Sequence, residues 1–267
     1  MAGDDWYARL SPHHHELIRL LASGLTASFV VAGLSAWRLL RAGEDASARV
    51  TLRTGLMLAA VLAPIQAFVG DQHGLNTLEH QPAKIAAIEA IWKTERSVPL
   101  VLLAIPDDDK RRNDFAIEIP KAASLLLRHD ADAELKGLDA FAPDTAPVAP
   151  VFFAFRAMVG IGMLMLVAAW WGAWATRRGM LAPRWMLWTL AGFTFSGWLA
   201  TLCGWLVTEI GRQPWLVTGI LRTADAAGGA SGAQLGASLT AYVVTYTAMF
   251  LAYLVVLTHL AGKGAQA

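Results

Sequence analysis

Glu209 and Arg212 are ionisable residues at the end of a segment apolar enough to cross a bilayer, in the stretch Gly204-Trp205-Leu206-Val207-Thr208-Glu209-Ile210-Gly211-Arg212-Gln213-Pro214-Trp215. Charges at membrane depth are costly and usually have a partner or a job. On a helix Trp205, Glu209 and Arg212 fall at i, i+4 and i+7, so they share one face. A carboxylate there can ligate a metal, relay protons, or pair with Arg212 as a structural clamp. The residues alone leave all three open. Beside them Ser196, Ala200, Gly204 and Thr208 form a stripe of small side chains that allows another helix to approach closely.

Two more groups carry chemistry. Met158 follows Phe155-Arg156-Ala157 near the start of another apolar run. A thioether in such a run is commonly core filler, as Met163 and Met165 illustrate, but it can also bind heme iron. Lys84 and Glu89 lie in a long polar segment, five residues apart and so about 140° apart on a helix, poorly placed to neutralise each other. Such a pair can supply a base and a hydrogen-bond donor to a ligand. The plainer reading joins Glu89 to Lys93 as an i, i+4 surface pair. His73, Glu79 and His80 are second-rank proton acceptors, while His129 and His259 read as solvated or interfacial. Cys203 is the single cysteine, which excludes an intrachain disulfide and a cysteine-cage metal site.

The elements that must position these residues are membrane helices. Of 267 residues, 55% are hydrophobic and 16% charged, against roughly 25% charged in a soluble chain. The net charge of +1 argues against a nucleic-acid partner. Five apolar segments, near Leu17–Leu40, Thr51–Val69, Val151–Ala175, Trp185–Thr208 and Gly236–Gly262, meet or approach the roughly 20 residues a spanning helix needs. Pro64 and Gln66 interrupt the second, and a buried proline is tolerated where a neighbour satisfies the freed carbonyl. Arg38, Arg41, Arg49, Arg53, Arg177, Arg178, Arg184 and Lys263 fall on one side if all five segments span, and the positive-inside rule makes that side cytoplasmic. The N-terminus and the loop Gly70–Pro150 then face outward. The fold class expected is an all-α integral membrane bundle of five helices, divided as 1–70, an outer loop 71–150, and 151–267. Within the loop, Pro82–Trp92 and Phe115–Arg128 read as amphipathic pieces, Pro106–Asp114 as a solvated turn or linker, and Ala142–Pro150 as the extended return to the membrane. The glycine-rich run after Asp225 reads as a flexible outer connection.

These motifs resemble subunit I of the cytochrome bd quinol oxidases, over about Leu20 to Leu260. Gly70-Asp71-Gln72-His73-Gly74-Leu75-Asn76-Thr77-Leu78-Glu79-His80-Gln81-Pro82 is similar to the start of the quinol loop in the cyanide-insensitive branch. The resemblance implies quinol contact by Lys84 and Glu89. It implies axial ligation of a low-spin b heme by Met158 with Arg156 beside the propionates. It implies ligation of a high-spin b heme by Glu209, lined by Trp205 and Arg212. The cofactors expected are one or two b hemes, with heme d or a further b heme shared with other chains, and ubiquinol or menaquinol as substrate. The family's histidine opposite Met158 aligns with Ile18 or Arg19, neither of which binds iron. His13, His14 and His15 lie about one turn earlier, as substitutes or as a polar tail. The match covers only the C-terminal part of the family's subunit, so oxygen reduction is expected to need a subunit II and a separate chain supplying further N-terminal helices. The location expected is the bacterial inner membrane. The alternatives are a split or truncated paralogue that binds heme or quinone without turnover, and a structural or assembly partner.

Overall fold

The computed structural model describes residues 6–43, 45–177, 182–217, 219–226 and 228–263, with the side chains of 6–15 and 261–263 excepted. Arg178 and the side chains of His13, His14, His15 and Lys263 lie outside the described residues. Helices α1 (Trp6–Ala42), α2 (Ala46–His80) and α3 (Pro82–Glu89) are followed by strands β1 (Glu95–Arg96), β2 (Leu100–Asp107) and β3 (Arg112–Ile119), helix α4 (Ala122–Arg128) and strand β4 (Glu134–Leu135). Then come α5 (Val148–Ala175), α6 (Arg184–Gly192), a 3-10 turn at Phe193–Phe195, α7 (Ser196–Gly211), strands β5 (Trp215–Val217) and β6 (Leu221–Arg222), and α8 (Gly232–Lys263).

Among the described residues, five stretches are long and apolar enough to cross a membrane: Glu16–Ala42, Ala46–His80, Val148–Ala175, Arg184–Gly211 and Gly232–Leu260. They coincide with the five segments read from hydropathy. The fourth is a stack of α6, the 3-10 turn and α7 rather than one helix. Pro64 sits inside α2, and the carbonyl it strands is that of Ala60, four residues back. Trp170 on α5 donates its indole N–H to that carbonyl at 2.9 Å. The neighbour that a buried proline requires is therefore present.

α2 continues through His80, so the polar run Asp71–His80 is helical rather than loop. A 35-residue helix is about 52 Å long, well beyond a hydrocarbon core of about 30 Å, and its last turns stand outside the bilayer. Asp45 caps the other end, accepting from the N–H of Ala48 at 2.9 Å while Arg38 holds it at 2.6 Å.

The outer segment differs most from the sequence reading. Pro106–Asp114 is the tip of an antiparallel hairpin, β2 paired with β3, and not a linker. β1 and β4 also pair antiparallel, and with β5 and β6 there are six short strands among the described residues of this mainly helical chain. The hairpin tip is docked: Trp92 Nε1 donates to Asn113 Oδ1 at 2.8 Å, and Asn113 donates to the Ala90 carbonyl at 3.0 Å. Asp108 accepts from the N–H of Val148 at 3.1 Å, placing a carboxylate at the positive end of α5. Ile85, Ile88, Val98, Val101 and Leu138 of this segment are buried in one cluster with Val148, Val151 and Phe152 of α5 and Val207 of α7. The outer segment is thus a folded cap whose core continues into the bundle. The α7–α8 connection is also ordered in part, since β5 and β6 form a hairpin that Arg222 ties to Asp144 at 2.8 Å. α8 is exposed along nearly all its length and meets the rest through Phe250 against Phe195 and Tyr253 against Trp198.

Candidate heme and quinol site

α3 brings the candidate residues together. Proline at its first turn starts it, Ile85 and Ile88 bury one face, and Ala90 in the left-handed region ends it. Because Lys84 and Glu89 are five residues apart, they leave α3 in different directions and meet different helices.

Glu89 turns toward α5. Its Oε2 lies 2.7 Å from Arg156 Nη2, with side chains 10% and 14% exposed respectively. Arg156 also donates to the Ile88 carbonyl at 2.5 Å and the Val101 carbonyl at 2.6 Å, and its guanidinium stacks on Phe152 at 4.1 Å. Burial pushes the Glu89 carboxyl above its ordinary value of 4.5, and the Arg156 charge opposes that rise. The surface pair with Lys93 is not what the structure holds.

Lys84 turns toward α7. A Cβ on Gly211 would stand 3.2 Å from its Cγ and Cε, so the glycine is what lets the lysine stem lie against the helix. Desolvation pushes the Lys84 ammonium below its ordinary value of 10.5; Arg212 adds to this and Glu209 opposes it. Glu209 and Arg212 themselves form an ion pair within one helical turn, with side chains 37% and 38% exposed. Arg212 donates to Oε2 of Glu209. Trp205, one turn back, is 59% exposed.

Met158 lies one turn inside Ala154 and Phe155 on α5. Its Sδ would be 2.8 Å from a Cβ on Gly204, so the thioether occupies the α5–α7 crossing in space that only glycine leaves. The stripe of small residues on α7 thus receives α5. On α1, Ile18 precedes Arg19, which pairs with Glu16 at 3.0 Å on the exposed surface. α1 is already helical at residues 13–15.

A thioether and a carboxylate on adjacent helices, each with an arginine nearby, form a donor set suited to heme iron and propionates. The sequence profile described as Cytochrome bd terminal oxidase subunit I matches residues 12–265. The chain belongs to the cytochrome bd oxidase subunit I family. It is 29% identical over 224 residues to the cytochrome bd ubiquinol oxidase subunit 1 of Bacillus subtilis (strain 168), covering 79% of this chain and 47% of that one. It is 27% identical over 322 residues to the cytochrome bd-II ubiquinol oxidase subunit 1 of Escherichia coli (strain K12), covering 93% and 62%. The structure of bd oxidase from Geobacillus thermodenitrificans superposes with a TM-score of 0.82 at 28% identity, covering 91% of this chain and 56% of that one. The chain therefore spans about half to three-fifths of the length of these relatives. Like other bd oxidase subunits I, it is a multi-pass bacterial membrane protein.

Three features of the bd-type site were not read from the sequence: the Arg156–Glu89 contact, the Asp108 cap on α5, and the contact of Lys84 with α7. All join residues far apart in the chain. The one advance signal was the five-residue offset of Lys84 and Glu89, which already required different partners for the two.

Proposed function

We propose that this chain is the quinol-side electron-transfer part of a cytochrome bd-type terminal oxidase. The observation that carries this reading is that α3 touches both helices bearing candidate heme ligands, α5 through Glu89–Arg156 and α7 through Lys84. Met158 would hold a low-spin b heme with Arg156 beside it. Glu209 would hold a high-spin b heme through its second oxygen, with Arg212 and Trp205 alongside. A heme bound there supplies a one-electron carrier. The chain's own residues bind and orient quinol and handle its protons. Lys84, with its charge disfavoured by burial and Arg212, is a readier proton acceptor or neutral donor than an ordinary lysine. Glu89 supports the same site from the other end of α3, and half-buried His73 with exposed Glu79 and His80 lies on the last turns of α2, where protons would pass to water.

The arginine-rich turns at Arg38–Arg53 and Arg177–Arg184 support a cytoplasmic side there, with the cap and N-terminus outward and the C-terminus inside. Oxygen reduction belongs to an assembly with subunit II, with heme d or another b heme shared between chains. Two relatives are named ubiquinol oxidases and another, 30% identical over 213 residues, a putative menaquinol oxidase, so the names support either quinol.

One observation favours a second reading. The resemblance puts Ile18 or Arg19 where the family has its histidine, which fits a paralogue that binds heme or quinone without turnover. The visible spectrum of the detergent-purified chain, with and without quinol, separates the readings. The oxidase reading expects a Soret band and quinol-dependent reduction. A band that quinol leaves unchanged supports the paralogue, and no band supports a structural or assembly partner.

A further inference from the structure

A residue that takes a proton from quinol must reach the ring hydroxyl at hydrogen-bond distance and then pass the proton to water. Glu89 is poorly placed for either step. It is buried at the end of α3, with one carboxylate oxygen on Arg156. Arg156, in turn, is engaged from three elements. It takes Glu89 and the Ile88 carbonyl from α3, the Val101 carbonyl from β2, and lies on the Phe152 ring of its own helix. The Ile88 carbonyl is among the last of a helix and has no intrahelical donor to count on. Val101 is in a strand paired only to β3. One guanidinium therefore meets two backbone acceptors and one carboxylate at the junction of cap and bundle.

We infer that Glu89 is a positioning residue: its carboxylate holds Arg156, which fixes the folded cap on α5 two residues from Met158, and the quinol proton goes elsewhere. This rests on the quinol reading above only for its kinetic consequences; the docking role stands on the contacts alone. What docking needs from residue 89 is an acceptor for Arg156, and the amide of glutamine keeps that acceptor while giving up the titratable group.

The test uses the full chain in its membrane assembly, with Glu89→Gln, Glu89→Ala and Arg156→Met variants. Protease is added from the side of the cap, and cleavage within residues 90–147 is timed. Glu89→Gln should be cut within threefold of the unsubstituted chain, whereas Glu89→Ala and Arg156→Met should be cut at least tenfold faster. The double variant Glu89→Met with Arg156→Met removes both charges and should be cut more slowly than Arg156→Met alone. In quinol turnover, Glu89→Gln should keep the shape of the pH profile and lose less than tenfold in kcat, with Glu89→Ala losing far more. Equal losses in Glu89→Gln and Glu89→Ala, with a flattened pH limb and an intact cap, would overturn the inference and make Glu89 the base. So would a Glu89→Ala cap as resistant as the original. If the unsubstituted chain shows no quinol-dependent reduction, the functional reading fails and the protease series alone decides the positioning role.

Discussion

Glu89 and Arg156 meet across two elements in a site from which water is largely excluded, whereas Glu209 and Arg212 meet within one helical turn and remain more than a third exposed. The chemistry of the two pairs is the same. Their surroundings make them different objects. A buried pair has paid its desolvation in advance, and removing one partner leaves an uncompensated charge. An exposed pair within a turn is worth little and leaves the carboxylate free to exchange partners. The first arrangement suits a fixed joint between cap and bundle. The second suits a carboxylate that must also serve a ligand.

The comparison breaks first on stability. Arg156→Met should cost about 3–5 kcal/mol of cap docking, the range for breaking a buried pair, seen as a large drop in unfolding temperature. Glu209→Ala should cost no more than about 1 kcal/mol while removing the high-spin heme signal from the spectrum. Similar losses of stability in the two variants would erase the distinction. Met158→Leu conserves volume and should cost less than about 1.5 kcal/mol, yet abolish any low-spin signal; an unchanged spectrum removes Met158 from the site. Trp170→Phe tests a contact away from both pairs. Losing its bond to the Ala60 carbonyl should cost about 1 kcal/mol with no spectral change, read by chemical denaturation.

The smallest effect concerns Lys84 and has a definite sign. Its pKa is lowered in the folded chain, so the unfolded chain binds more protons and stability rises with pH until the ordinary value of 10.5 is passed. Lys84→Met removes a charge that burial penalises. The variant should therefore be slightly more stable than the original at pH 7, with the difference closing as pH approaches 10.5. A difference that is constant with pH would show that the charge of Lys84 carries no such penalty.

The membrane spans were legible because hydropathy and length are local properties, and each apolar run folded as a helix near where it was read. The α3 helix was legible for the same reason, from Pro82 and the spacing of Ile85 and Ile88. The β2–β3 hairpin was not. Its outward residues Leu103, Ile105, Phe115 and Ile117 are exposed and apolar, and register shifts break the alternation that marks a strand. The charged run at the tip looked like a linker because nothing local shows that Trp92 holds Asn113 or that Asp108 caps α5. Arg156 was placed beside heme propionates by resemblance, and its ties to Glu89, Ile88 and Val101 span 55 to 68 residues of chain. At the candidate site the residue types were visible early, but not which helix each would face.

Sequence alone determined that this chain enters a bilayer through five apolar helices, and offered Lys84, Glu89, Met158 and Glu209 as candidates for its chemistry. A run of apolar side chains fixes its own preference for lipid wherever the rest of the chain goes. Only the tertiary structure decided which carboxylate is locked and which is free. Desolvation depends on everything that packs around a charge, and those neighbours arrive from distant parts of the chain.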